Sequence, residues 1–284
     1  MSRSSLTAGV RHFLLAVQFF TRVPITGRLA EWVGYSPDML RASSAYFPLV
    51  GWLVGAFAAL VMAVGLNVLP GGAADTTGAV STAGMLSALA AACLSTIGSL
   101  WLTGAFHEDG LADTADGLGG AVTRERALEI MKDSRIGTYG SASLQLALLL
   151  KVVLLASLAQ AGTWAVVAAL VSAHALSRLA PLVIMRSLPY VSDAGHAKSK
   201  PIADAVSGKG VRLAFAWSLP ALLLLWQAHG LGSLVVALAL WGAALAYMLR
   251  LLRRRLGGFT GDNLGASQQL CELALYLGLL VQWT

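Results

Sequence analysis

Charge is scarce in this sequence. Asp, Glu, Lys and Arg make up 12% of its 284 residues, against 57% hydrophobic ones. A soluble domain carries about a quarter charged residues, so a free-standing soluble fold is a poor reading, and a mean hydropathy of +0.71 agrees. Cysteine is nearly absent. Cys93 and Cys271 are the only two, and both fall in apolar runs. That argues against a disulfide scaffold or a paired C-x-x-C metal site, and reads both as small packing residues. G-x-S-x-G, H-E-x-x-H and G-x-x-x-x-G-K-[ST] are all missing, so no other catalytic constellation competes. The absence of an internal repeat weakens a transporter built from inverted halves. Basic residues are dispersed and carry no reader motif, which argues against a nucleic-acid partner. The run "FLLAVQFF" at 13–20 is too short to span a bilayer and is expected in the interface or as a re-entrant piece. No A-x-A-like site follows it, so it is not read as a signal peptide.

What the chain does have is long apolar stretches. Segments of about 18 residues or more, each able to cross roughly 30 Å of hydrocarbon, lie near 46–69, 80–106, 138–161, 163–185, 211–229, 231–252 and 264–283. The expected fold is therefore all-α: a single polytopic membrane domain over 1–284 with about seven transmembrane helices. An N-terminal interfacial segment (1–45) and two substantial loops (107–137 and 186–210) complete it. Nearly all twenty Lys and Arg fall in or beside 1–45, 107–137, 186–210 and 253–263, the exceptions being Lys151 and Arg178. By the positive-inside rule those segments face the cytoplasm.

The acids are not spread evenly. "HEDGLADTADGLGG", 107–120, holds Glu108, Asp109, Asp113 and Asp116. The last three stand at i, i+4 and i+7, one face of a helix, rising about 6 Å and then about 4.5 Å. Like charges on one stripe at the edge of a low-dielectric layer repel, and a hard divalent cation such as Mg²⁺, shared with substrate phosphates, is the natural neutraliser. Asp109 and Asp116 lie about 10 Å apart along such a helix. Either two ions sit along the stripe or the helix is broken at Gly110 and Gly117, which also admit a phosphate close to the backbone. After the acids, Thr123 caps a short helix whose apolar side is Ala127, Leu128, Ile130 and Met131.

Other polar groups in or near the apolar runs are functional candidates by default. Glu272 shares a stripe with Asp262, Gln269 and Tyr276. Lys151, about four turns into its run, calls for a partner such as Glu272. Arg178, with His174 on its stripe, and Arg135, at headgroup depth, suit phosphate contacts. Carboxylates, a metal and arginines together point to phosphoryl-type transfer, in which catalysis is mainly positioning and charge neutralisation. Asp109, Asp113 and Asp116 are the expected metal ligands. Arg135, Arg178, Lys151, Asp262 and Glu272 are expected around the substrate, with Asp262 completing the metal shell, and either Asp116 or Asp133 takes the proton of the attacking hydroxyl.

"FFTRVPI", "YFPLVGWLVG", "FHEDGLADTADG", "ALEIMKDSRIGTYG", "LSRLAP" and "GGFTGDNLGA" occur in that order. Together they closely resemble the cobalamin synthase family, the adenosylcobinamide-GDP ribazoletransferases, over residues 13 to about 280. The family's H-x-D-G-L-A-D-x-x-D-G pattern falls on His107, Asp109, Asp113 and Asp116, with Glu108 at a variable position. The resemblance implies an Mg²⁺-dependent enzyme of the prokaryotic inner membrane with its site facing the cytoplasm. It would join α-ribazole or its 5′-phosphate to adenosylcobinamide-GDP in late cobalamin (vitamin B12) biosynthesis, releasing GMP. Its partners would be these small molecules and membrane lipid, and a homo-oligomer is compatible with it. A CDP-alcohol phosphotransferase-like lipid enzyme has an Arg directly after the Ala of its acid motif, whereas here Asp113 follows Ala112. A cation or proton transporter would want its acids near the bilayer midplane.

Overall fold

The computed structural model describes residues 3–70, 81–191 and 206–281. The described chain is helical, with α1 Arg3–Phe20, α2 Gly27–Val33, α3 Pro37–Ser43, a 3₁₀ turn Ser44–Tyr46, α4 Phe47–Val68 and α5 Thr82–Thr103. Then come α6 Phe106–Gly119, α7 Arg124–Ile130, α8 Thr138–Ala159, α9 Thr163–Ser177, α10 Leu179–Ser187, α11 Gly208–Arg255 and α12 Gly261–Leu279. Five helices among the described residues are long and apolar enough to cross a membrane: 37–68, α5, α8, the α9–α10 pair and α11.

The expected segments 211–229 and 231–252 are the two limbs of α11. That helix runs 48 residues and breaks at Gly230, whose φ of 79° and ψ of 169° suit glycine alone. The last expected segment is α12, where Asp262, Asn263, Gln268, Gln269 and Glu272 interrupt the apolar run. It is not among the five. Most of the expected loop 186–210 lies at 192–205, outside the described residues. Of the two cysteines, neither disulfide-bonded, Cys93 is exposed and Cys271 buried.

Small residues set the helix spacing. A Cβ at Gly55 would meet Val171 Cα at 2.8 Å, and one at Gly51 would collide with the His174 carbonyl, so α4 and α9 approach backbone to backbone. The α9–α10 junction follows from Pro181, which can neither donate to the carbonyl four residues back nor fit beside it. The chain turns at Arg178, whose backbone N–H goes to Leu176 O while its guanidinium Nη1 donates to His174 O at 2.7 Å.

The acid-bearing helix α6 is reached by a sharp turn. Gly104 (φ 68°) closes α5 and Ala105 (φ 58°) follows in the same left-handed region, the one non-glycine there among the described residues. Helix α6 then lies against α12, α8 and α7.

Candidate active site

The helix carrying the acids is continuous from Phe106 to Gly119. The expected break at Gly110 and Gly117 is therefore not present, and both glycines serve packing. A Cβ on Gly110 would lie 2.6 Å from Asp262 O, and one on Gly117 would run into Met131 with Ala127 O at 3.0 Å. Across the same crossing, a Cβ on Gly265 would meet His107 O at 3.1 Å. Gly110 and Gly265 thus serve the close approach of α6 to α12, which sets Asp262 beside Asp109, while Gly117 admits α7.

The adjoining face of α6 carries the stripe. Leu111 and Ala112 are buried behind it, Asp109 is exposed, and Asp113 and Asp116 are half-buried. Burial first, then the carboxylates of Asp109, Asp262 and Asp116, push Asp113 up to about 7. Among the described residues no Lys or Arg forms an ion pair with any of these four acids. In donor chemistry, crowded carboxylate oxygens without a protein counter-charge fit a hard cation. In the side-chain positions described, however, no three acids, histidines or cysteines converge on one point.

Asp116 differs from its neighbours. Its Oδ2 accepts from Gly137 N at 2.7 Å and its Oδ1 from Gly140 N at 2.8 Å, so it caps the start of α8. Asp133 lies in the α7–α8 connection, where Arg135 donates to both its oxygens (Nε to Oδ1 at 3.0 Å, Nη2 to Oδ2 at 2.7 Å) and holds it down to about 2. Neither residue expected as proton acceptor offers an unengaged oxygen. The Arg135 side chain is 87% exposed and, among the described residues, its ion pair is with Asp133. Thr123 caps α7 as expected, accepting from Arg126 N at 3.3 Å.

Lys151 and Glu272 do meet. Lys151 Nζ stands 2.6 Å from Glu272 Oε1, with the side chains 3% and 1% exposed. Tyr276 donates to the same oxygen at 3.2 Å. Gln268 donates to Oε2 at 2.6 Å, and His174 Nδ1 lies 3.2 Å from it. The pair expected near substrate is thus closed inside the bundle, in a set of polar contacts that satisfies both charges. Arg178 belongs to the same buried region, and its Nε has no hydrogen-bond partner among the described residues.

Two connections went unread in the sequence. Gln269 Nε2 bridges Gln268 Oε1 and Glu108 Oε1, both at 2.9 Å, which ties the buried set to the residue next to Asp109. Asn263 Nδ2 donates to Thr114 Oγ1 at 3.0 Å, a second tie from α12 to α6, while Thr260 and Asn263 form a capping box on α12. Adjacent glutamines in "SQQLCEL", one of them four residues before Glu272, were the available signal. At the far end of α6, Arg255 donates to Leu118 O at 3.0 Å and Gly120 O at 2.7 Å. A run of three arginines suggested only topology.

A sequence profile of the family described as "Cobalamin-5-phosphate synthase" matches residues 12–280. The adenosylcobinamide-GDP ribazoletransferase of Polaromonas naphthalenivorans (strain CJ2) is 52% identical over 284 residues, covering 96% of this chain and 98% of the relative. That of Leptothrix cholodnii is 47% identical, covering 98% and 97%, and that of Vibrio cholerae (strain ATCC 39541 / Classical Ogawa 395 / O395) is 43% identical, covering 94% and 92%. No solved structure matches the chain. On a match of this length and identity, the chain belongs to the cobalamin-5-phosphate synthase family.

Proposed function

We propose that this chain is an adenosylcobinamide-GDP ribazoletransferase acting at the cytoplasmic boundary of a prokaryotic inner membrane. A hydroxyl of α-ribazole, or of its 5′-phosphate, attacks the phosphorus bonded to the cobinamide. A new P–O bond forms, the bond to GMP breaks, and the hydroxyl proton is lost. The observation that carries this reading is the stripe of Asp109 and Asp113 beside Asp262, acids crowded together with no ion-paired Lys or Arg among the described residues, inside motifs shared with the family.

Asp109, Asp113 and Asp116 are the residues that would hold Mg²⁺, with Asp262 beside them. Bound there, the ion supplies charge neutralisation for a diphosphate. The protein's own part is placement. Asp116 fixes the start of α8 against α6, and the α6–α12 crossing holds Asp262 beside Asp109. The cytoplasmic orientation is supported by the clustering of Lys and Arg in the segments that carry or adjoin these acids.

The test is release of GMP from adenosylcobinamide-GDP by the purified protein. It should require α-ribazole or its 5′-phosphate, and Mg²⁺ should restore it after chelation. Release without an acceptor, or release of CMP from a CDP-alcohol instead, would defeat the assignment.

A further inference from the structure

Behind the acid helix the bundle is not filled. Helix α8 packs on α6 and α12, α11 packs on α12, and a cavity of ≈ 430 Å³ opens between α8 and α11. That volume is in the range of small-molecule sites, about 300–1,000 Å³. Leu118 of α6 and Leu270 and Leu273 of α12 form its floor, with Leu146 of α8 and Tyr247 of α11 on its walls. Leu146 is 66% and Tyr247 58% exposed, and both stand on helices long and apolar enough to cross a membrane. The cavity therefore opens sideways, toward lipid. It is shut off from the acids. Its lining on α6, Leu111 and Leu118, is on the far side of that helix from Asp109, Asp113 and Asp116. A molecule in the cavity has the helix between itself and the carboxylates, which excludes the reacting substrates.

The lining is graded from polar to apolar. Tyr139 and Ser143, in the first two turns of α8, bring hydroxyls, while Leu146, Ala147 and Leu150 beyond them bring only hydrocarbon. Tyr139 lies against the end of α6, where a Cβ on Gly119 would meet its Cγ at 2.7 Å. On α11, Arg254 follows Tyr247 and Leu251 at i+7 and i+3, on the same face one turn further along. The next residue, Arg255, donates to Leu118 O and Gly120 O, so Arg254 stands at the same polar end. Arg254 is exposed and has no ion pair among the described residues. From Tyr139 to Leu150 the wall runs about 16 Å, half of the roughly 30 Å of bilayer hydrocarbon and so one leaflet.

We infer that this cavity is a site for one anionic phospholipid of the leaflet on the acid side, its tail between α8 and α11 and its phosphate at Arg254. The inference holds whatever reaction the acids perform. A one-leaflet depth, a hydroxyl-lined mouth, an apolar interior and an unpaired guanidinium at the mouth match such an amphiphile part by part. A lipid tail gains little by exchanging other tails for leucines, so the tail contributes fit and the cation selects the headgroup. An empty leucine-lined cleft forfeits dispersion contacts along its whole lining. The tail restores them and braces α6 from the side away from its carboxylates.

The test places the full chain in phosphatidylcholine liposomes doped with a lipid that carries a diazirine on its tail. The probe's headgroup is either phosphatidylglycerol or phosphatidylcholine, and mass spectrometry reads the cross-linked residues. The phosphatidylglycerol probe should label Leu270 and Leu273 about fivefold more than the phosphatidylcholine probe, the scale of one cation at a headgroup. Leu149, 61% exposed on α8 and outside the cavity, should take both probes alike. Arg254→Gln should abolish the difference at Leu270, and Arg254→Lys should keep it. Arg254 is on the surface, so neither change disturbs the core. Equal labelling of Leu270 by the two probes in wild type would mark ordinary bilayer lipid and overturn the inference. So would a difference that survives Arg254→Gln. An unlabelled floor beside a labelled Leu149, with Leu146→Cys cross-linking to its copy, would give the cavity to a second chain and overturn it too.

Discussion

Crowded by Asp109, Asp262 and Asp116 and half withdrawn from water, Asp113 is held up to about 7, where an ordinary Asp would ionise at 3.8. Between those values the folded chain binds more protons than the unfolded one, so stability falls as pH rises through that window. Asp113→Asn removes the penalty. It should raise Tm at about pH 8 in chelator, with the gain shrinking as pH approaches 4, while GMP release is lost. An unchanged Tm across that range would show that the stripe carries no such repulsion. Asp116, three residues on, should behave the other way. It accepts the two amides that open α8, so Asp116→Ala should lower Tm through a loss of stability of about 1 kcal/mol, the scale of a lost helix cap. One thermal-shift series on the two variants separates a carboxylate kept for chemistry from one that also holds the fold.

Elements are joined by the buried pair of Lys151 on α8 and Glu272 on α12. Removing one partner strands the other charge, so Glu272→Gln should cost about 3–5 kcal/mol. Replacing both with Lys151→Met and Glu272→Leu should cost far less. Chemical denaturation in detergent of the two single variants and the double one measures the coupling, and additive losses would mean that the pair is not a unit. Much at this scale was legible beforehand. Hydropathy marked the long helices, Thr123 announced α7, and the spacing of Asp109, Asp113 and Asp116 put them on one face. Lys151 called for a partner because burial leaves an ammonium few alternatives. What stayed hidden depended on contacts between distant segments. Gly110 reads equally as a break or as a close approach until Asp262 is placed against it. Glu108 looks dispensable until Gln269 is seen to bind it. The α9–α10 turn was also missed, although Pro181 marks it, because the apolar run continues across it.

For the whole molecule, the distribution of Lys and Arg predicts which side each end faces. In intact spheroplasts, a membrane-impermeant thiol reagent should fail to reach a cysteine placed at Ser134 or Arg254 and should reach one placed at Gly162. In inside-out vesicles the pattern should invert. Native Cys93, on a membrane-length helix, and buried Cys271 should stay silent in both, giving a clean background. Labelling of Ser134→Cys from outside would reverse the orientation and move the acids away from cytoplasmic nucleotide.

Helix α6 is tied to α12 through Glu108 and Thr114, to the start of α8 through Asp116, and to α11 through Arg255 at its last carbonyls. A segment fastened at so many points works as a fixed rail. On the proposed function, such a rail would hold the carboxylates at one spacing with or without substrate, leaving the corrinoid and the nucleoside as the parts that travel. Turnover in such a machine would be paced by docking and departure along the rail rather than by any rearrangement of the rail itself.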